Sequence, residues 1–216
     1  MTQQKLFVIK KIQRLSSNSK KNPCFLFNDS KKIVDINQVL KKLPKNSNII
    51  FRNYQLNNKI KLELAKDFKK NTQKFSHNFI VGKDFILANK ISAHGVHFSD
   101  NDLKNNCLKI LIYRRFFGKK KLFFSFAIHN LKSLNFCKIL QPDCLFISPV
   151  FATTSHQNSK FLGFYNFIKF RRIINKKFKI DLLNIAPLGG INLQNLRRLN
   201  NIKIAKFGAI DFFSDL

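Results

Sequence analysis

The chain has no tryptophan and a single glutamate, Glu63. Acidic residues are scarce throughout: 11 Asp and Glu stand against 40 Lys and Arg, a formal net charge of +29. Taken alone, that balance points to nucleic acid or an anionic surface. The basic residues are nevertheless spread along the whole chain, mostly as lysine among abundant Asn, Ile and Phe. No basic segment is interleaved with aromatics as an RNA module requires. AT-rich codons yield this mixture, and the shortage of Trp and Glu fits the same drift. Anionic, phosphorylated small molecules suit the charge equally well, so nucleic acid is not the expected partner.

Long apolar runs are also missing. None approaches the roughly 20 residues of a membrane-spanning helix, so no membrane partner is expected. The basic stretch over residues 5–14 has an apolar centre too short for a secretory signal. We read residues 1–22 as a basic leader, helical or frayed. The four cysteines, Cys24, Cys107, Cys137 and Cys144, have no paired spacing, which excludes a zinc or redox signature and leaves a reduced, cytoplasmic setting as the default. No G-x-G-x-x-G follows the first apolar run, which argues against a doubly wound dinucleotide fold. No repeat, linker or low-complexity block divides the chain.

What is present is alternation. Apolar runs at 24–27, 48–52, 79–81, 95–98, 122–128, 144–150, 182–188 and 202–207 read as eight strands. Helical spacing marks 34–43, 59–70, 84–91, 103–116, 131–140, 164–178 and 193–199, with 209–216 left for a short last helix. Eight strand–helix units in one domain of this length are the arithmetic of an α/β protein, a single (β/α)8 TIM barrel over residues 23–216.

Several strand ends carry polar chemistry. The run from Cys144 breaks at Pro149 into Thr153, Thr154, Ser155 and His156, a loop of donors for an anion or else a solvated loop. Gly189 and Gly190, with Gly208 and Ala209, offer backbone N–H groups to a phosphate; a tight turn is the alternative for the glycine pair. Arg52 ends the second strand, where a guanidinium grips carboxylate or phosphate bidentately or pairs with Asp29. His97 reads as a barrel-core histidine bonded to backbone. Asp100 and Asp102 either share a cation or simply favour a helix N-terminus. His129 follows the fifth strand, and histidine suits acid–base work near neutral pH, although a lone strand-end histidine is also a common structural feature.

Four stretches then resemble a known family: Ile49-Ile-Phe-Arg52; Ala93-His-Gly-Val-His-Phe-Ser-Asp-Asn-Asp-Leu103; Phe146-Ile-Ser-Pro-Val-Phe-Ala-Thr-Thr-Ser155; and Leu188-Gly-Gly-Ile-Asn192 with Phe207-Gly-Ala-Ile210. In order and spacing they resemble the superfamily of thiamin phosphate synthase and the TenI-type thiazole tautomerase. The resemblance implies phosphorylated thiazole and pyrimidine ligands, with room for a homo-oligomer. A synthase would join hydroxymethylpyrimidine diphosphate to thiazole phosphate with Mg2+, and the diphosphate would meet Arg52 and the loop from Thr153 to His156. Departures fall on that chemistry. The synthase R-x-K lysine is Tyr54 here, and its Asn-Asp after the third strand is Gly82-Lys83. A lysine at a metal-ligand position repels a cation. The second metal-associated aspartate corresponds to Asp102, the fifth-strand serine to Ala127, the loop lysine to His156 and the last-strand serine to Gly208. TenI-type proteins resemble this pattern better, need no metal and place a histidine after the fifth strand. That histidine is His129 here, the implied acid/base that moves a proton on a thiazole carboxylate phosphate. A barrel that binds ligand without catalysis is the third alternative.

Overall fold

The short Ile-, Val-, Leu- and Phe-rich runs form eight parallel strands in a computed structural model that describes residues 2–15, 24–28, 35–117, 122–153 and 160–214. They are β1 (Cys24–Phe27), β2 (Asn48–Phe51), β3 (Asn78–Gly82), β4 (Gly95–Ser99), β5 (Phe123–Ile128), β6 (Cys144–Ile147), β7 (Ile185–Pro187) and β8 (Phe207–Ala209). The sheet order is β7-β6-β5-β4-β3-β2-β1-β8, and a parallel bridge between Leu188 and Gly208 joins its ends. The expected (β/α)8 barrel is therefore the observed fold. Its helices are α1 (Thr2–Leu15), α2 (Ile36–Lys42), α3 (Asn58–Lys74), α4 (Phe85–Lys90), α5 (Asp100–Phe117), α6 (Leu134–Leu140), α7 (Phe164–Phe178), α8 (Leu193–Asn201) and α9 (Asp211–Ser214). No helix among the described residues is long and apolar enough to cross a membrane.

Short polar side chains set the helix starts. Asp35, Asn57 and Asp84 accept backbone N–H groups at the first turns of α2, α3 and α4. Within the stretch read as a leader, α1 buries Val8 and Ile9 and lies against α8, and Lys5 Nζ donates to Phe212 O at 2.7 Å. The starts of two strands move by three residues or more from the sequence reading, and β6 ends at Ile147 instead of at residue 150. Asp181 accepts the Leu183 N–H and winds Leu182–Asn184 into a 3-10 turn, so β7 begins only at Ile185. At the end of α8, Ile202 and Lys203 bond back to Leu199 O and Asn200 O; β8 starts at Phe207, opposite Cys24, instead of at residue 202.

Alternation along each strand divides the side chains in two. One set, including Leu26, Ile49, Val81, Phe98 and Phe126, packs under the helices. The other, Phe25, Phe27, Ile50, Ile80, Ala127, Cys144, Phe146 and Ala186, fills the barrel. Phe25 and Phe27 both meet Phe146 edge-on, with ring centroids 5.0 and 5.4 Å apart. Those rings leave no volume at β8, where a Cβ on Gly208 would stand 2.6 Å from Phe27. Gly208→Ala is thus expected to cost about 1–3 kcal/mol by overpacking, read from urea unfolding, and a Phe27→Leu background is expected to recover part of that loss. Equal costs in both backgrounds would refute the steric coupling.

Candidate active site

In a parallel barrel all strands point their C-terminal ends at one rim, so the loops that follow them share a mouth. A cavity of about 410 Å³ opens there, within the usual range for small-molecule sites. Of the residues singled out from the sequence, Arg52, Asp102, His129, Thr153, Gly189, Gly190 and Ala209 line it together. Gly208 does not line it, because its position faces the packed rings of Phe27 and Phe146. Thr154, Ser155 and His156 lie outside the described residues, as does Asp29. Tyr54, Lys83, His97, Ser99 and Ser148 join the lining.

His129 leaves β5 onto the rim with Asp100 as its partner, an acid whose sequence readings were a cation ligand or a helix start. Asp100, 4 % exposed, accepts the His129 ring Nδ1 at 2.7 Å, the His129 backbone N–H at 3.1 Å and the Ser133 hydroxyl at 3.1 Å. Burial works to raise the Asp100 carboxyl, but the hydrogen bonds from His129 and Ser133 outweigh it and hold the group at about 2. An ionised carboxylate only accepts, so Nδ1 carries a proton, which in the neutral imidazole leaves Nε2 as the acceptor. A histidine with a fixed tautomer and an exposed acceptor nitrogen is built for proton transfer.

Asp102 is half committed. Its Oδ2 takes the Ser99 N–H at 3.0 Å and the Ser99 hydroxyl at 2.7 Å, while Ser99 Oγ receives the Asp102 N–H at 3.4 Å. That reciprocal pair starts α5 as a capping box does. The other oxygen, Oδ1, lies 3.9 Å from Lys83 Nζ. Arg52 donates from Nε to Asn28 O at 3.4 Å with its guanidinium 5.7 Å from the centre of the Phe27 ring.

The glycine pair makes the tight turn that was one of its two sequence readings. Gly189 and Gly190 take φ values of 89° and 63°, and a Cβ on Gly190 would stand 2.2 Å from Ala152 O. That approach is fixed by Val150 and Phe151, which donate to Leu188 O and Gly189 O. The turn is therefore obligatory, and it also brings both residues to the cavity wall. Asp211 at the start of α9 lines the same wall, so a carboxylate stands where the short last helix begins. Below the rim, His97 shares a 2.9 Å hydrogen bond with the Ser125 hydroxyl, a side-chain partner where a backbone one was expected. Burial, reinforced by the Arg52 guanidinium, pushes His97 down to about 3, so it is neutral.

A family-wide sequence model described as thiamine monophosphate synthase matches residues 27–211. The chain belongs to the thiamine monophosphate synthase family. It is similar to a thiamine-phosphate synthase of Staphylococcus carnosus, 27% identical over 139 residues, covering 64% of this chain and 60% of that protein. It is also similar to one from Staphylococcus saprophyticus, 30% identical over 122 residues, covering 56% and 51%. The matched region thus spans about half to three-fifths of those relatives' lengths. Among solved structures, the thiamine phosphate pyrophosphorylase of Pyrococcus furiosus superposes with a TM-score of 0.65 at 17% identity, covering 87% and 84% of the two chains. A citrate synthase variant superposes with a TM-score of 0.61 at 12% identity, covering 92% and 89%. These likenesses establish the fold.

Within the thiamine monophosphate synthase family this rim is a poor match for the magnesium implied by the resemblance. Magnesium takes near-octahedral oxygen ligands, whereas Asp102 offers one uncommitted oxygen with an ammonium 3.9 Å away. Among the described residues no group of three or more His, Cys, Asp or Glu side chains could hold a metal ion. Beside Lys83 the donor set does not fit a divalent ion held by protein ligands alone. The residue that sequence reasoning missed is Asp100 as the partner of His129; its signal was an acid just after β4 beside a histidine just after the neighbouring β5.

Asp100 makes a testable contribution to stability. Its carboxyl is held at about 2, below the ordinary 3.8, so the stabilisation is complete above the ordinary value and is lost as pH falls through about 2; it amounts to about 2 kcal/mol. Asp100→Asn is expected to be less stable than wild type at neutral pH, with the gap closing as the solution is acidified. A gap independent of pH in urea unfolding would show that the pair carries no such linkage.

Proposed function

We propose that this chain is a thiamin-biosynthesis barrel that binds a phosphorylated thiazole and moves a proton on it, in the manner of the TenI-type tautomerase. The observation that carries the reading is the Asp100-held His129 on the cavity rim, with Nε2 as its acceptor nitrogen. Gly189 and Gly190, with Ala209, would receive the phosphate, and Arg52 and Thr153 would hold a carboxylate or phosphate across the mouth. Thr154, Ser155 and His156, outside the described residues, belong to the same proposal. The setting we infer is cytoplasmic, with small phosphorylated molecules as ligands in place of nucleic acid, and a homo-oligomer is compatible with it.

A second reading has support of its own. The relatives from both Staphylococcus species are thiamine-phosphate synthases, and Asp102 stands at the rim. Under that reading the protein would position thiazole phosphate and a pyrimidine diphosphate and stabilise departing diphosphate.

The deciding experiment gives the purified chain thiazole carboxylate phosphate in D2O and follows deuterium entry and double-bond migration by NMR. His129→Ala is expected to lower turnover by about a hundredfold or more, the usual worth of a general acid–base group, and to leave calorimetric binding unchanged. Thiamin phosphate formed from thiazole phosphate once hydroxymethylpyrimidine diphosphate and Mg2+ are both supplied would move the assignment to the synthase. Binding without turnover would leave a ligand-binding barrel, and failure to bind either thiazole would refute the reading.

A further inference from the structure

The chain leaves β3 through Lys83, which occupies the left-handed backbone region with φ 45°. Glycine or asparagine would sit there with less strain. The turn is fixed from both sides: the Lys83 N–H donates to His97 O at 2.8 Å, and Asp84 caps α4 while pairing with Lys61. Six other described non-glycine residues share this backbone region, and of the seven only Lys83 lines the cavity. Its side chain runs to the cavity mouth, with Nζ 4.2 Å from the centre of the Tyr54 ring and 3.9 Å from Asp102 Oδ1. Tyr54 in turn lies against Gly82, where a Cβ would meet its hydroxyl at 2.6 Å. Tyr54, Gly82 and Lys83 therefore form one unit: the small residue admits the ring, the ring supports the ammonium, and Asp102 steers it.

Building on the anion-binding reading above, we propose that the Lys83 ammonium is the cavity's resident cation and meets a second oxyanion of the ligand directly, without a divalent metal. At 3.9 Å its pairing with Asp102 is electrostatic and not a hydrogen bond, and the side chain is 41 % exposed. The three N–H donors of an ammonium are thus available to a ligand. Arg52 lines the same cavity and adds a second positive charge. A divalent ion entering beside Lys83 would meet repulsion from it and only one uncommitted carboxylate oxygen. Asp102 acts here as a positioning residue. The oxyanion is either a diphosphate or the carboxylate of a thiazole phosphate, and both are recognised by the same charge-assisted hydrogen bonds.

The test is calorimetric titration of the full chain with inorganic pyrophosphate and, separately, with thiazole carboxylate phosphate, each in EDTA and then in millimolar Mg2+. At least one ligand is expected to bind in EDTA with no gain from Mg2+. Lys83→Asn is expected to weaken that ligand at least about tenfold, with a melting temperature equal to or above that of wild type. The ligand that loses affinity identifies the oxyanion. Binding that needs Mg2+, or equal binding by Lys83→Asn, overturns the proposal while leaving the thiazole assignment standing. If neither thiazole phosphate nor pyrophosphate binds under any condition, the functional reading fails with it.

Discussion

A closed barrel must fill its own interior, and in this chain phenylalanine fills it. Phe25, Phe27 and Phe146 interlock edge-to-face between β1 and β6, and small residues elsewhere follow from their volume. Gly208 on β8 cannot carry a side chain beside Phe27, and Ala127 on β5 stands in register with Phe146 on β6. The dry plug that results confines polar chemistry to the strand ends. His97 marks the transition: it touches Phe27 and Phe146 with its ring faces and edges, bonds Ser125, and reaches the cavity floor as a neutral imidazole.

The shortage of acidic residues makes the role of each one easier to read. Asp35, Asp84 and Asp181 accept N–H groups at helix or turn starts, and Asp143 accepts the Phe124 N–H at the start of β5. Asp102 caps α5 and Asp100 fixes His129. In a chain of net charge +29, these carboxylates sit where a backbone donor or an imidazole needs an acceptor. Lysine on exposed faces costs little, and its abundance therefore says less about function than the placement of six aspartates.

The barrel was legible because continuous apolar runs separated by helical spacing are a direct image of strands buried on both faces. The ends of β7 and β8 were not, because Asp181 and the closing turn of α8 take residues that hydropathy alone assigns to strands. At the site, His129, Arg52 and the Gly189–Gly190 turn could be placed from strand order. Gly208 was placed with them as a phosphate donor, since a glycine in sequence does not reveal whose volume it yields to; here that volume is Phe27's. Asp100 was hidden for a related reason. An acid in the first turn of a helix is ordinary, and only the adjacency of β4 and β5 turns it toward His129.

The fold itself leaves the reaction open, since the same barrel superposes on a pyrophosphorylase and on a citrate synthase variant. Chemistry has to be argued from the rim, and there the departures from the synthase pattern are sterically linked. Tyr54 requires Gly82, and Lys83 rests over Tyr54. On the proposal made above, the three residues replace a dissociable cation by one fixed to the chain, with Lys83 held over Tyr54 beside Asp102.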